Sequence, residues 1–381
     1  MRSISFIKKK IGKSYLVWFQ NSNLYLQLEE PAWFVFRKTA QRSKAETIAE
    51  EFAIRYNISA EESLSFVQDI RLKIKEMNQL TGFQTQTLQV SADLNTLTYQ
   101  PFAIHRYKLG NQLISFSFQT RTFEYYIHPL IGHLETEEKI AGMPLFELFS
   151  HQGRIIFRFN GQVKGSWADD ETHLVKGMIF MFLINVMHNK TDANWLMMVH
   201  ASAITNGKKT ILFSAAPGNG KTTIAALLQA RGFQIISDDF VPIDRNSLKA
   251  YSFPIAMSVK EGSMELLTSL FPTLEKKPLN YISPEKSVRY LPPVDASGKI
   301  QEALPVHEFV FIKYDRTVDF VWEELDSLSG IRLLLDQAWV APTPGNAQIF
   351  FDRMTQISFY QLTYSDNEKA LDAITNLFDH D

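Results

Sequence analysis

A short glycine-rich segment near the middle of the chain carries residues that could hold a polyphosphate. The run TILFSAAPGNGKTTIAALLQARG (210–232) has an apolar stretch, then a loop, then a helical apolar pattern. From Gly218 onward the loop reads G-N-G-K-T, and Ala215 stands where a first glycine is usual. A strand, a glycine-rich loop and a helix in this order form a phosphate-binding loop. The sequence therefore predicts a nucleoside triphosphate site.

Each part of this loop has its own task in phosphate binding. Main-chain N–H groups of the loop and of the helix N-terminus bind phosphate oxygens. Lys221 would reach the outer phosphates, and the Thr222 hydroxyl would bind Mg2+. A glycine-rich turn before an ordinary helix is the alternative, but the whole context agrees with ATP and Mg2+. The residues predicted to contact the nucleotide are Ala216, Pro217, Gly218, Asn219, Gly220, Lys221, Thr222 and Thr223.

Three further features could take part in phosphoryl transfer. Asp238 and Asp239 follow an apolar run, where a Mg2+ ligand or a base that orients the nucleophile is needed. His200 lies on the strand predicted before the loop strand. The alternatives are an N-cap or turn pair for the two aspartates, and a satisfied core or surface residue for the histidine. Cations that could neutralise a transferred phosphoryl group, or be plain surface charges, are Arg245, Lys260, Lys286 and Arg289.

The composition limits the class of protein. A chain of 381 residues with 45% apolar and 21% charged residues predicts a soluble globular protein of two or three domains. The net charge of −2 gives no reason to expect a nucleic-acid partner. The lack of cysteine excludes disulfides and thiol chemistry and fits a cytoplasmic protein. No signal peptide or membrane partner is expected, and the sequence leaves homo-oligomerisation open.

Periodicity predicts the elements around these residues. The N-terminal helices should bury Ile48, Phe52 and Ile54, and Ser59 with Glu62 predicts a capping box. The predicted elements are a hairpin (14–28), helices (30–39, 44–56 and 59–77), a linker (83–100), a β-rich part (101–165, with QLISFSF, RTFEYYI and RIIFRFNGQV), a buried helix (170–189, with Leu174, Met178, Phe182 and Val186 inward) and a strand (195–204).

The N-terminal pattern resembles the PqqD-like family of peptide-recognition domains. The resembling residues are NLYLQLEEPAWFVFRKTAQRSKAETIAEEFAIRYNIS and the following helix at 60–77. The resemblance implies a winged-helix domain over residues 1–82 that binds the leader segment of a ribosomally made peptide. In that family the peptide adds a strand to the exposed edge of the hairpin. A winged-helix module that packs only on its own chain is the alternative.

The central region resembles the HPr kinase/phosphorylase superfamily. The resembling run is VHASAI…TILFSAAPGNGKTTIAALLQARGFQIISDDFVPID, with the histidine, the loop, the Arg-Gly helix end and the Asp-Asp pair of that family. The resemblance implies an α/β core like that of phosphoenolpyruvate carboxykinase over 195–381. This core would complete a kinase domain over 101–381, whose β-rich and helical first part is 101–194, in a chain that is α+β overall.

The same resemblance implies roles for individual residues. Lys221 and Thr222 would hold phosphates and Mg2+, and Asp239 would act as general base toward a seryl hydroxyl. Asp238 would lie nearer the metal. His200 would hydrogen-bond the phosphoryl group or the base.

Two departures separate the chain from the bifunctional enzymes of that superfamily. Ala215, Ala216 and Pro217 replace the usual Gly-Asp-Ser, and no E-[IV]-R-G-x-G segment follows. The resemblance therefore implies neither phosphorolysis nor HPr as the substrate. We expect an ATP-dependent kinase of Ser or Thr in a peptide or small protein held by the N-terminal domain. A small-molecule kinase of serine or a hydroxy acid and a nucleotide-dependent peptide-binding module are the alternatives.

Overall fold

The computed structural model describes residues 4–79, 93–283, 286–294 and 303–379 of a mixed α/β chain. The chain divides into two compact units. Unit 1 contains Met1–Thr87 and Val340–Gln356, and unit 2 contains Leu88–Trp339 and Ile357–Asp381. Residues 83–92 of the predicted linker lie outside the described residues. Within the described residues, no helix has both the length and the apolar character needed to span a membrane.

Unit 1 is built on a three-stranded antiparallel sheet in the order β1-β2-β3. The predicted hairpin is confirmed as β2 and β3, and β1 is an additional strand that sequence analysis missed. Helices α1 and α3 cover one face of the sheet, where Trp33 and Ile74 pack on Val17 and Leu28. The elements are β1 (Phe6–Ile11), β2 (Ser14–Phe19), β3 (Tyr25–Glu29), α1 (Glu30–Ala40), α2 (Ala45–Tyr56), α3 (Ala60–Gln79) and, from the C-terminal half of the chain, α10 (Pro344–Met354).

Local sequence signals explain the helices of unit 1, with one correction. Glu62 N donates to Ser59 Oγ at 3.2 Å and Ser59 N donates to Glu62 Oε2 at 3.1 Å, which confirms the capping box of α3. Ile48 and Phe52 are buried as predicted, but Ile54 is 85% exposed. Two residues advance a helix by about 200°, so Ile54 cannot share the face of Phe52.

Helix α10 covers the second face of the same sheet. The ring of Tyr25 lies 5.7 Å from that of Phe350 and 5.8 Å from that of Phe351. Lys9 Nζ donates to Asp352 Oδ1 at 2.7 Å. Alternate residues of a strand point to opposite faces of a sheet. The side chains of Lys9 and Tyr25 therefore lie on the face of the sheet that Val17 does not share. Sequence analysis placed this helix in the kinase domain, whereas the structure folds it into unit 1.

The first part of unit 2 is a five-stranded sheet in the order β4-β5-β6-β7-β8. RTFEYYI, which was expected to be a strand, is instead helix α5. The Thr120 hydroxyl accepts a hydrogen bond from Phe123 N at 3.2 Å, and this N-cap outweighs a short alternating pattern. The elements are α4 (Asp93–Thr96), β4 (Ala103–Leu109), β5 (Gln112–Phe118), α5 (Arg121–Ile131), β6 (Leu145–His151), β7 (Arg154–Phe159), β8 (Gln162–Ala168) and α6 (Thr172–His188).

The buried stripe of α6 is offset by one residue from the prediction. Val175, Ile179 and Leu183 are buried, whereas Leu174 is 46% exposed. Apolar residues surround most of this helix, so periodicity alone does not identify the inward face.

A large mixed sheet of ten strands lies at the centre of the second part of unit 2. Its order is β12-β10-β11-β18-β14-β13-β9-β20, with β21 beside β18 and β19 beside β21. Strands β11, β18 and β21 run parallel. The strands are β9 (Trp195–Val199), β10 (Ser202–Thr205), β11 (Thr210–Ser214), β12 (Gln234–Ser237), β13 (Val241–Asp244), β14 (Lys249–Ala250), β18 (Leu304–Tyr314), β19 (Phe320–Leu325), β20 (Ala338–Val340) and β21 (Ser358–Tyr364).

Helices and a smaller sheet flank this large sheet. The smaller sheet has the order β15-β17-β16. Ile224 of α7 packs with Phe213 of β11, Leu267 of α8 and Ile374 of α11, so α7 is fixed on both sides. The elements are α7 (Lys221–Ala230), β15 (Met257–Lys260), α8 (Glu261–Leu270), β16 (Asn280–Ser283), β17 (Lys286–Leu291), α9 (Ser327–Leu335) and α11 (Asn367–Asp379).

The packing of α10 predicts that its aromatic residues stabilise the N-terminal strands. Phe351→Ala should cost about 3–5 kcal/mol, because it removes a fully buried ring next to Tyr25. Hydrogen exchange should show faster opening of β1–β3 amides, with β11 unchanged. Arg353→Ala on the exposed side of α10 is the matched control. Equal protection of β1–β3 in wild type and Phe351→Ala would contradict this packing.

Candidate active site

The predicted phosphate loop joins β11 to α7 as expected. Strand β11 is buried along its whole length and pairs with β10 and β18. Gly218 and Gly220 have φ values of 93° and 86°, a left-handed conformation that glycine adopts without strain. No side chain caps α7, which begins at Lys221. The N–H groups of its first turn are therefore suited to a phosphate, as are those of the loop other than Asn219, whose N–H donates to Ala216 O at 3.1 Å.

Tyr314 of β18 and Tyr364 of β21 contact the phosphate loop. A Cβ atom at Gly220 would lie 2.9 Å from the Tyr364 hydroxyl and 3.4 Å from Tyr314 Cβ. Tyr314 N also donates to Asn219 O at 3.3 Å. The Tyr364 hydroxyl is buried and has no hydrogen-bond partner among the described residues. Sequence analysis missed both tyrosines, because the strands that bring them to the loop, β18 and β21, come far later in the chain.

The structure brings Lys221, Asp238 and Asp239 together at the start of α7. Lys221 Nζ donates to Asp239 Oδ1 and lies 3.4 Å from Asp238 Oδ1. Thr222 Oγ1 lies 3.4 Å from Asp238 Oδ2. The Ser202 hydroxyl, on the adjacent strand β10, also donates to Asp238. Sequence analysis missed Ser202, which only the pairing of β10 with β12 places here.

The two aspartates differ in exposure. The Asp238 side chain is 1% exposed, whereas that of Asp239 is 41% exposed. Asp239 has a φ of 67°, so the chain turns sharply after β12 and presents its carboxylate toward solvent. Asp238 is thus suited to hold a buried cation, and Asp239 can meet a molecule that arrives from outside.

The pKa values of the two carboxyl groups shift in opposite directions. Burial raises the pKa of Asp238 above its ordinary value, although the Lys221 ammonium opposes that rise. Desolvation would also raise the pKa of Asp239, but its close contact with Lys221 holds that pKa below the ordinary range. Desolvation lowers the pKa of Lys221 less than the two carboxylates raise it. Lys221 therefore stays protonated, and Asp239 stays an ionised carboxylate that can accept a hydrogen bond.

His200 lies beside Asp239, at a bend between β9 and β10 rather than within one strand as predicted. Its Nδ1 lies 3.1 Å from the Asp239 carbonyl oxygen and 3.9 Å from Oδ1. A carbonyl only accepts, so Nδ1 carries the hydrogen of this bond. The bend itself is held by Ser214 Oγ, which donates to His200 O at 3.0 Å.

The predicted phosphate-binding cations are only partly gathered at this cluster. Lys260 lies within electrostatic reach of Asp239 and Lys221. Arg245 follows the far end of β13, where its N–H donates to Asn194 O at 2.8 Å. Arg289 pairs with Val259 in the small sheet and so points to the face opposite Lys260. The structure thus brings Lys260, but neither arginine, to the carboxylates.

Two more lysines accompany Lys260. Lys286 shares its sheet face and, together with desolvation, lowers the pKa of Lys260. Burial and the same Lys286 charge lower the pKa of Lys176 on α6, which lies 5.4 Å from the Tyr126 ring centre. No carboxylate pairs with any of the three lysines among the described residues. Lys260 and Lys286 therefore place positive charge on one face of the small sheet, and the charge of Lys260 also interacts with Asp239.

Comparisons with known proteins give little beyond this geometry. No family model matches the sequence, and no curated protein matches it. Among solved structures, the Hpr(Ser) kinase/phosphatase from Coxiella burnetii matches with a TM-score of 0.23 and 10% identity, over 47% of this chain and 89% of that chain. A similarity of this size carries no argument about function. The resemblances of both halves therefore stay predictions.

The close approach of Tyr364 makes a prediction about the loop glycines. Both Gly218→Ala and Gly220→Ala force alanine into a left-handed conformation, at about 1–2 kcal/mol each. Only Gly220→Ala adds a steric overlap, since nothing lies within 4 Å of a Cβ at Gly218. Urea unfolding without nucleotide should show Gly220→Ala to be the less stable variant. Equal stability of the two variants would exclude the role assigned to Tyr364.

Proposed function

We propose that this chain is an ATP-dependent kinase that transfers a phosphoryl group to a Ser or Thr hydroxyl of a peptide or small protein. The observation that carries this proposal is the meeting of Lys221, Thr222, Asp238 and Asp239 at the uncapped start of α7. An ammonium, a hydroxyl and two carboxylates beside free main-chain N–H groups suit a metal-bound triphosphate.

The donor set fits both parts of the ligand. Carboxylate and hydroxyl oxygens are the ligands that Mg2+ prefers, and Asp238 with Thr222 Oγ1 supplies both kinds. Bound ATP with Mg2+ supplies the γ-phosphoryl group and the charge that neutralises it. Lys221 would turn from the carboxylates to the outer phosphates.

Asp239 would take the catalytic role at the exposed side of the cluster. It orients the acceptor hydroxyl, whose oxygen forms a bond to the γ-phosphorus while the bond from phosphorus to the ADP oxygen breaks. The hydroxyl proton passes to the Asp239 carboxylate late in the transfer. His200, which donates to the Asp239 carbonyl, would hold that residue in its left-handed turn.

The unpaired lysines support an acceptor that carries negative charge. The charge of Lys260 interacts with that of Asp239, and Lys286 interacts with both Lys260 and Lys176. Like charges that interact repel each other, and an anionic partner relieves that repulsion. An acidic peptide meets this requirement. The carboxylate of free serine or of a hydroxy acid also does, which keeps a small-molecule kinase as the second candidate.

The free edge of β1 supports the peptide candidate. Gln20 N donates to Ser5 O at 3.0 Å, so by alternation Phe6, Lys8 and Lys10 turn their main-chain groups away from β2. Among the described residues β1 pairs with β2 alone. An extended peptide could therefore add a strand here, and the ammonium groups of Lys8 and Lys10 would favour an acidic one.

The assignment of Asp239 predicts a separation of binding from chemistry. Asp239→Asn should retain MgATP affinity within a few-fold but lower transfer about 10²–10⁴-fold, because the proton acceptor is lost. Lys221→Met should lose both MgATP affinity and phosphoryl transfer, because the ammonium that would bind the outer phosphates is gone. Calorimetry with a non-hydrolysable ATP analogue measures binding. Mass spectrometry of acceptor peptides encoded near the gene measures transfer.

Asp192→Asn, an exposed aspartate beyond the N-terminal end of β9, is the matched control and should behave like wild type. Undiminished transfer by Asp239→Asn would remove Asp239 from the mechanism. Wild-type protein that binds MgATP but phosphorylates neither peptides nor small hydroxy acids would favour a nucleotide-dependent binding module. No MgATP affinity at all would reject the kinase proposal.

The edge of β1 gives a test of peptide recognition that leaves unit 1 folded. Deleting residues 1–80 would strip α10 of its partners, so a point variant is preferable. Lys8→Pro removes an outward N–H, which an edge strand tolerates, and also the Lys8 ammonium, whose Nζ lies 4.6 Å from the Trp33 ring centre. It should raise KM for a peptide acceptor at least 10-fold and leave turnover of free serine unchanged. Lys8→Ala, which keeps the N–H, separates the main-chain effect from the loss of charge. Unchanged peptide kinetics in Lys8→Pro would argue against strand addition at β1.

A further inference from the structure

A cluster of histidines and glutamates lies in the first part of unit 2, outside the candidate active site. His105 comes from β4, Glu124 and His128 come from α5, and Glu135 follows the short 3-10 turn Gly132–Leu134. One ligand atom from each of His105, His128 and Glu135 lies within 4.8 Å of the other two. Two imidazoles and a carboxylate this close form a donor set that transition metals prefer.

The contacts of His105 give each of its ring nitrogens a separate partner. Nδ1 lies 2.5 Å from Glu135 Oε1, and Nε2 lies 2.6 Å from Glu124 Oε1. The His105 side chain is only 19% exposed, whereas Glu135 is 42% exposed. Glu135 therefore lies at the open side of the cluster, and Glu124, which is 22% exposed, is the more buried of the two carboxylates.

The second histidine is held in a similar way. The fully buried Tyr107 hydroxyl lies 2.8 Å from His128 Nδ1. On the other side of the ring, a Cβ at Gly132 would come within 3.1 Å of Nε2. The backbone at position 132 does not require glycine for its φ, which is −59°. Glycine at this position instead leaves room for the imidazole beside the segment that carries Glu135.

We propose that His105 Nδ1, His128 Nε2 and a Glu135 carboxylate oxygen bind a divalent transition metal, zinc being the ion that this ligand set suits best. Glu124 and Tyr107 then occupy the other nitrogen of each histidine. Partners of this kind orient metal-binding imidazoles and increase their basicity. Three protein ligands leave a fourth position of a tetrahedral zinc ion for water or another ligand.

Metal binding would change the cluster in a defined way. The two imidazole rings are now stacked, with centres 4.4 Å apart and planes 24° apart. Ligand atoms around tetrahedral zinc are about 3.3 Å apart, so His105 Nδ1 and Glu135 Oε1, which lie 2.5 Å apart, must separate to admit the ion, and the stacked rings must tilt. The proton that His105 shares with Glu135 leaves to solvent as zinc binds, since a ligating nitrogen must be unprotonated.

Calorimetric titration of the tag-free, metal-stripped full chain with zinc tests the site. We expect one zinc ion per chain. Glu135→Gln and His128→Asn should each weaken affinity at least 100-fold, and Glu124→Gln should weaken it about 10–100-fold as an outer partner. Glu138→Gln is the matched control, because Glu138 is a nearby exposed glutamate that pairs with Lys108. Cobalt(II) in place of zinc should give the visible absorption of a tetrahedral site.

A variant that fails to fold would also fail to bind zinc, so the folding of each variant must be checked. Glu135 is exposed enough for its amide replacement to leave the fold intact, and thermal unfolding in chelator checks this directly. Failure of the folded wild-type chain to take up zinc would overturn the proposal. Uptake that both ligand variants leave unchanged, or that Asp238→Asn alone abolishes, would also overturn it by placing the ion elsewhere. The kinase assays above do not depend on this outcome.

Discussion

The ion cluster of one ammonium and two carboxylates at the start of α7 is the constraint on which the functional half of the chain depends. Lys221 and Asp238 are almost fully buried, and burying charges is costly unless they pair with good geometry. One ammonium cannot neutralise two carboxylates, so the cluster retains negative charge. That residual charge gives a metal ion a place to bind.

The surrounding sheet serves to hold that cluster in register. Strands β10, β11 and β12 are adjacent, so Ser202, the phosphate loop and Asp238 reach the same end of the sheet. The parallel strands β18 and β21 end beside the loop and support it through Tyr314 and Tyr364. Helix α7 is fixed between the sheet and two other helices. A rigid frame of this kind lets short side chains act on a reacting group without reorganising.

Unit 1 shows how distant segments can share one fold. Its sheet has apolar side chains on both faces, because Tyr25 and Val17 point in opposite directions. Helices α1 and α3 cover one face only, and α10 from the C-terminal half covers the other. Without α10, the apolar ring of Tyr25 on the second face would be exposed to water. The division of this chain into units is therefore not a division of its sequence into consecutive blocks.

The sequence by itself determined the local elements and the central motif. The capping box at Ser59, the β11–loop–α7 unit and the Asp-Asp pair after β12 all follow from residue types at short spacing. Each depends on interactions between residues a few positions apart, which a sequence displays directly. The exposed face of Ile54 also follows from helix geometry, although the simple apolar pattern suggested otherwise.

Only the tertiary structure decided which residues that are distant in the sequence join the candidate active site and which do not. Ser202 joins Asp238 because β10 pairs with β12, and Arg245 lies away from it because β13 carries the chain to the far end of the sheet. Helix α10 and the pairing of His105 with Glu135 are further examples. These contacts carry no local signature, because the free energy of burial depends on which surfaces meet and not on their order along the chain.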